Sequence, residues 1–496
     1  MIVFGPPAPE RPEWDGMEVV KSSTTRYCLV LLSATLSACA VGPDYRPPQL
    51  EAPAQWHSQP AGGVQVESPD ALAAWWTVLN DPTLNQLVDQ SMSANKSVKQ
   101  ALARVVESRA RRSISAAGLW PTLGASASGS KSHSARSDFS GTTVTLNGES
   151  YDAGVDAGWE IDLFGGTRRS IESSTAQLAA SEADLHDVMI TLLGDVALSY
   201  VTVRTTQSRL TYAERNIESQ REVLDITNWR AEAGLATVLD VEQAKSNYAQ
   251  TRAQIPSLQS NLEAAKNRLA VLTGQQPGAL EAVLAERKAI PVAPQEIVSS
   301  VPADVMRRRP DIRSAERRLA AQTAQVGVAT AALYPSLSLN GSIGVSANSA
   351  SDLFSDPSNS NRYGLSLSMP IFRAGALRQN IKAQNALVDE ALASYEATML
   401  AAYEEVENAL TSWVNEQTRH AALVEAVDSA RLAHTLALVQ YNSGLVDFQT
   451  VLTADRQLIT TEDSLAVSDG EITSNLVRLY KALGGGWKVY EAVAGG

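Results

Sequence analysis

The chain has 496 residues, with 41 Lys and Arg against 54 Asp and Glu and a formal net charge of −13. That acidic balance excludes a nucleic-acid binder, which needs a basic footprint, and a hydrophobic share of 44% with 19% charged residues describes a folded chain. Two cysteines and five scattered histidines supply neither a disulfide framework nor metal-ligand spacing, and beyond the N-terminal region no run of about 18 apolar residues marks a multi-pass helical membrane protein.

From Met17 the chain reads MEVVKSSTTRYCLVLLSATLSACAVGPDYRPP. Lys21 and Arg26 form a positive segment, Cys28 to Leu36 a short apolar one, and Leu36-Ser37-Ala38-Cys39 a small-residue end. The apolar stretch is too short to span a bilayer and reads as a signal peptide over residues 1–38. Residues 1–16 lack the character of such a leader, so Met17 is the expected start. Leu-Ser-Ala-Cys resembles a bacterial lipobox, which implies cleavage before Cys39 and an N-acyl, S-diacylglycerol lipid on that cysteine. A mature chain without free thiols suits an oxidising envelope.

The remainder is written twice. SAAGLWPTL (115–123) returns as TAALYPSL (330–337), and IDLFGGTRR (161–169) as MPIFRAGALR (369–378). EAGLATVLDVEQA (232–244) returns as NSGLVDFQTVLTA (442–454), and NRLAVLTG (267–274) as NLVRLYKALG (475–484). The last two pairs place Gly234 and Gly444, and Gly274 and Gly484, at one offset of 210. The order predicts a segment 39–82, a first repeat over 83–274, a connector 275–310, a second repeat over 311–484 and a tail 485–496.

Each repeat opens with a helix and continues with period-two stretches, the first pair lying within 122–162 and the second within 336–371. Tyr151, Ala153, Val155, Ala157, Trp159 and Ile161 alternate with Asp152, Gly154, Asp156, Gly158, Glu160 and Asp162. One apolar and one acidic face describes a strand between two different media. Leu123 to Ser128, Leu337 to Val345 and Tyr363 to Ile371 repeat the pattern with Gly and Ser on the polar face. About ten residues is the length of a tilted membrane strand. A soluble sandwich would carry Lys, Thr and Glu there instead.

Long helices follow, as hairpins over about 168–273 and 376–482. Proline is absent from 168–233 and from 376–443, runs that would reach about 100 Å at about 1.5 Å per residue. Leu392, Met399, Val406 and Trp413 recur every seven residues, as do Met189, Val196 and Val203, which predicts side-by-side helices. Gly234 and Gly444 mark the tip turns, and Pro256 predicts a bend or break.

Four membrane strands cannot close, and an open edge is not tolerated in hydrocarbon. Copies of the chain must complete the wall. Two copies give eight strands with a filled interior, three give twelve with a lumen, and the acidic inward residues Asp152, Asp156, Glu160 and Asp162 argue for the wet one. Those acids predict a cation-selective lumen.

At this point several motifs together carry a family likeness: the lipobox with CAVGPDYRPP, WWTVLNDPTLNQL (75–87), WEIDLFGG (159–166), RRRPDIRSAERRLAA (307–321) and ALYPSLSLNGSIG (332–344). The chain resembles the outer-membrane efflux lipoproteins of the TolC/OprM type, in the NodT-like branch. The resemblance implies an α+β membrane protein: a homotrimer with a 12-stranded β-barrel, a periplasmic helical barrel and a mixed equatorial region. It implies an outer-membrane location and docking of the helical tips to a periplasmic adaptor and an inner-membrane pump of the resistance-nodulation-division (RND) class. The expected protein is a passive duct for small molecules, without catalytic centre or cofactor beyond the lipid.

The resemblance also implies that the start of the helix after the second Gly turn narrows the periplasmic aperture. Gln449 and Thr453 occupy those positions, and the aspartate usual in the family is absent at Thr453. Asp447 and Asp455 are the remaining acids there, each with an exposed helix cap as the alternative role. A duct for ABC-type polypeptide secretion fits the same tube. A lipid-anchored coiled-coil scaffold leaves the strands unused, and a tethered enzyme lacks HExxH, GxSxG and P-loop motifs. Arg307 to Asp311 reads as a helix start with solvent-facing charges, not as an anion site.

Overall fold

A computed structural model describes residues 40–48, 53, 55–57, 72–137, 141, 143–292, 308–353 and 359–487. The signal peptide, Met17, Cys39, Arg307, most of the tail and part of each connector lie outside the described residues. The chain divides into two compact units. One comprises Leu119–Arg169 and Gly327–Arg373 with the segment ending at Gly42; the other holds the remaining residues.

The first unit is a sheet of four antiparallel strands, β1 (Thr122–Ser137), β2 (Thr143–Ile161), β3 (Ser336–Ala347) and β4 (Asn359–Ser368), in the order β1-β2-β3-β4. Its register keeps the two faces separate. Trp159, Leu339 and Leu365 form one apolar row, Val155 and Ile343 another, while Asp152 lies between Ser128 and Ser346 on the opposite face. β1 and β2 run past the alternating stretch. Beyond Tyr151 the pairs Lys131–Glu149 and His133–Asn147 continue the face that was apolar and Ser134–Leu146 the one that was polar, so these rows no longer divide apolar from acidic. β4 ends earlier than the alternation suggests, at Ser368, two residues before Pro370, which has no N–H to donate to a ladder.

The second unit is helical. α1 (Pro82–Ala94) and α2 (Lys96–Ala117) precede the sheet in the chain. α3 (Gly166–Glu232) and α4 (Val238–Leu272) form the first hairpin. The short α5 (Glu281–Leu284) and α6 (Pro310–Ala331) lead to β3. α7 (Ala376–Asn442) and α8 (Phe448–Ala482) form the second hairpin. The duplication is literal: α3 and α7 each have 67 residues, α4 and α8 each 35.

The heptad seams are buried as expected. Met399, Val406 and Trp413 of α7 and Met189, Val196 and Val203 of α3 are all buried, and the seam of α7 continues through Val427, His434 and Tyr441. An apolar stretch of α3 is long enough to cross a membrane, but most of it is buried in this core. Trp75, in a 3-10 turn before α1, stacks on Tyr480 of α8 at 5.6 Å. α4 runs unbroken through Pro256, which lies on an exposed position and withholds one N–H from the helix. The Arg307–Asp311 reading needs a correction at Arg309. It is buried, not solvent-facing, and its guanidinium donates to Asp311, Glu405 and the Ala482 carbonyl. A helix C-terminus supplies acceptors that this cation can satisfy.

Between α3 and α8, Gly470 faces Thr205, and a Cβ at Gly470 would overlap the Thr205 hydroxyl. Gly470→Ala should therefore destabilise the helical unit by about 1–3 kcal/mol. Denaturant midpoints of the wild type, Gly470→Ala and Gly470→Ala with Thr205→Ala check this; the double variant should recover most of the loss.

Candidate functional site

Two regions bear on function: the faces of the sheet and the turns of the hairpins. On the sheet, Tyr363 is 87% exposed and Leu123 77%, with Ile343, Leu365 and Leu367 also exposed. Water does not favour such a continuous apolar surface. The alternating apolar stretch of β2 runs from Tyr151 to Ile161. It spans roughly 33 Å at about 3.3 Å per residue, and a tilt of about 40° brings it near the roughly 25 Å apolar band of an outer-membrane barrel.

The opposite face carries Asp152, Asp156 and Glu160, paired in register with Ser346, Ser342 and Ser338. Arg362 of β4 lies in the same row as Asp156, across Ser342, and is a cation that sequence reasoning missed. Its signal was present: Arg362 precedes Tyr363 in the alternating stretch and falls on the polar side. Asp162 leaves the sheet altogether. Its carboxylate accepts from the backbone N–H groups of Thr167 and Arg168 at the start of α3, an acid placed at the positive helix end.

Cys39 lies outside the described residues, but the residues after it are held closely. Val41 N–H donates to the Phe164 carbonyl at 3.1 Å, and Arg169 donates to the carbonyls of Val41 and Gly42 at 3.2 and 3.4 Å. Glycine is required at Gly42, whose φ is +94° and whose Cβ would fall 2.5 Å from the Gly327 Cα. The segment following Cys39 is thus packed at the end of β2 and the start of α3.

At the hairpin turns, Gly234 and Gly444 have φ of +74° and +73°. Leu235 N–H reaches back to the Arg230 carbonyl at 2.7 Å and Leu445 N–H to that of Gln440 at 2.9 Å, closing both helices in the same way. The following helix starts are capped by the same pair in opposite order. Thr237 caps α4 with Asp240 reaching back, whereas Asp447 caps α8 and accepts from the backbone and side chain of Thr450 at 3.0 and 2.7 Å. These bonds, the Thr450 side chain first, hold the Asp447 carboxyl below its ordinary range. Leu235, Val238, Leu239 and Leu445 are exposed around the turns. Arg230 of α3 stacks over Tyr441 of α7 at 4.5 Å and donates to the Asn442 carbonyl, joining the two tips; sequence spacing gave no sign of this pair.

Of the four aperture candidates, Gln449 and Thr453 are exposed on successive turns of α8. Asp447 is the exposed helix cap. Asp455 is assigned differently from either expectation: it is only 7% exposed, and Gln220 and Asn247 donate to it. Among the described residues no group of three or more His, Cys, Asp or Glu is arranged to hold a metal ion.

A sheet showing lipid one face and water the other belongs in the wall of an outer-membrane channel. Residues 87–275 and 301–485 match the outer membrane efflux protein family, and the chain belongs to it. It is 33% identical over 468 residues to nodulation protein T of Rhizobium leguminosarum bv. trifolii, covering 93% of this chain and 98% of that protein. It is 34% identical over 466 residues to the pyoverdine export outer membrane protein OpmQ of Pseudomonas aeruginosa, covering 93% and 97%. The solved structure of the outer-membrane channel OprN aligns with a TM-score of 0.82 at 37% identity, covering 90% of this chain and all of that one. The fold is TolC-like, and the protein is an outer-membrane efflux channel; its family consists of ducts, not enzymes.

Two predictions follow from this geometry. Asp447→Ala should speed amide exchange at Thr450 at neutral pH, while Asp447→Asn, which keeps an acceptor, retains protection. Because the Asp447 pKa is lowered, the part of wild-type protection that comes from the carboxylate charge holds above the ordinary carboxylate range and is lost as pH falls through the lowered value, leaving the part that Asp447→Asn also keeps. Second, Asp152, Asp156 and Glu160 against Arg362 in the alternating stretch predict a cation-selective pore. Reversal potentials in a salt gradient should show that preference and its reduction in Asp152→Asn with Asp156→Asn; anion selectivity would contradict it.

Proposed function

We propose that three copies of this chain form the outer-membrane duct of a tripartite efflux pump. It would carry small molecules passively outward from a periplasmic adaptor and an inner-membrane pump of the RND class. The observation that carries the reading is the sheet with unpaired outer strands, β1 and β4, and an apolar outer face. Three such sheets give twelve strands, enough to enclose water. The relative named for pyoverdine export supports a small-molecule cargo. The exposed leucines at the tips offer an apolar contact for the adaptor.

In this reading Cys39 carries the lipid, and the packing of Val41 and Gly42 keeps the acyl chains beside the barrel. Intact mass of the mature protein should begin at Cys39 with the lipid attached, and Cys39→Ser should lack it. Gln449 and Thr453 would form the narrow rim. Gln449→Ala with Thr453→Ala should raise single-channel conductance in planar bilayers severalfold, since pore conductance is set at its narrowest ring. Unchanged conductance would move the aperture elsewhere, and no conductance from the wild-type trimer would remove the duct reading.

A further inference from the structure

Beneath the helical tips one carboxylate is buried among four helices. Asp455 Oδ2, on α8, accepts from Gln220 Nε2 of α3 at 2.8 Å and from Asn247 Nδ2 of α4 at 2.6 Å. The other oxygen, Oδ1, faces His434 Nε2 of α7 at 3.5 Å. That nitrogen is buried and makes no hydrogen bond among the described residues, and the same holds for Gln220 Oε1. A buried polar atom left so carries a desolvation cost and marks a place where a proton can change the bonding.

His434 lies on the seam of α7 between Val427 and Tyr441, as His420 does two heptads before, where it meets Asp469 at 2.7 Å; of the two histidines, His434 is the buried one. An apolar side chain there would pack against any apolar partner. A buried carboxylate needs particular donors, so it fixes how two helices register. Here the donors lie on the first hairpin and the carboxylate on the second.

The other charged groups around the cluster are already engaged or turned away. Arg456, next to Asp455 on α8, donates to Asn247 Oδ1 at 3.3 Å. Farther along α7, Arg431 pairs with Glu462 of α8 at 2.9 Å and lies 3.7 Å from Asp428. On α3, Arg221 and Glu222 beside Gln220 are exposed; on α4, Lys245 pairs with Glu242 on the exposed side. His434 is the ionisable group placed against the Asp455 carboxylate.

We propose that Asp455 is a positioning residue for the aperture: it clasps the start of α8 to the first hairpin, and protonation of His434 tightens the clasp. The inference rests on reading Gln449 and Thr453 as the rim; they lie six and two residues before Asp455 on the same helix. When the ring gains a proton, Nε2–H donates to Oδ1 as a charge-assisted bond. A neutral ring can offer Oδ1 at most an uncharged donor, so what the proton adds is the charge assistance, present in acid medium and lost as the ring is deprotonated. The channel is therefore tighter in mildly acid medium and looser in neutral medium.

The test uses the full-length channel in lipid at about pH 5.5 and about pH 7.5. Amide exchange over residues 449–458, corrected for intrinsic rates, should be roughly tenfold slower at the acid pH in wild type, the worth of one charge-assisted bond. Single-channel conductance should fall in parallel. His434→Gln, which keeps Asp455 buried beside a neutral amide, should lose both responses, as should Asp455→Asn. A wild-type exchange rate that ignores pH, or a response kept in His434→Gln, overturns the proposal. A response in exchange that vanishes in His434→Gln while conductance never moves supports the proton-sensitive clasp and instead overturns the aperture assignment.

Discussion

Everything in this protein answers to backbone hydrogen bonds at two sheet edges that no strand among the described residues pairs with. β1 and β4 bound the sheet, and each presents a row of N–H and C=O groups to whatever lies beside it. In water those groups are satisfied; in hydrocarbon each costs several kcal/mol. The exposed residues Leu123, Ile343, Tyr363, Leu365 and Leu367 put this sheet in hydrocarbon. Closure through further copies of the same strands removes both edges at once. The inner face then explains itself: Gly, Ser and short acids leave room for water.

The helical half solves a different problem, that of holding four very long helices in one register. Equal helix lengths in the two hairpins, equal glycine turns and one offset between them give two copies of a single device. Heptad seams of Val, Leu, Met and Ala supply attraction but slide easily. Specificity comes from the exceptions. Gly470 admits one close crossing with Thr205, and the Arg209 guanidinium reaches both oxygens of Asp463 from α3 to α8. Asp455 ties both helices of the first hairpin to the second. Each is a contact that only one alignment of the helices permits.

The strands, the long helices and the glycine turns were legible because each follows a local rule: period two, period seven, or positive φ at a helix end. Asp447 as a cap was equally legible, since its partner lies three residues on. Contacts across long sequence distance were not. Asp455 reads as an exposed acid until Gln220 and Asn247, more than two hundred residues earlier, are seen to meet it. Arg309 read as solvent-facing because its acceptor, the Ala482 carbonyl, belongs to the end of a distant helix. The outer halves of β1 and β2 escaped for another reason: charged and polar residues enter the face that was apolar and Leu146 the other, so pairing continues where the apolar-acidic division has stopped.

The number of chains that share one barrel is the quantity on which the account turns. The mass of the particle extracted in mild detergent, measured by light scattering with the detergent contribution subtracted, gives that number directly. Three chains per particle is the predicted result. A stable single chain, with both strand edges open, would contradict it.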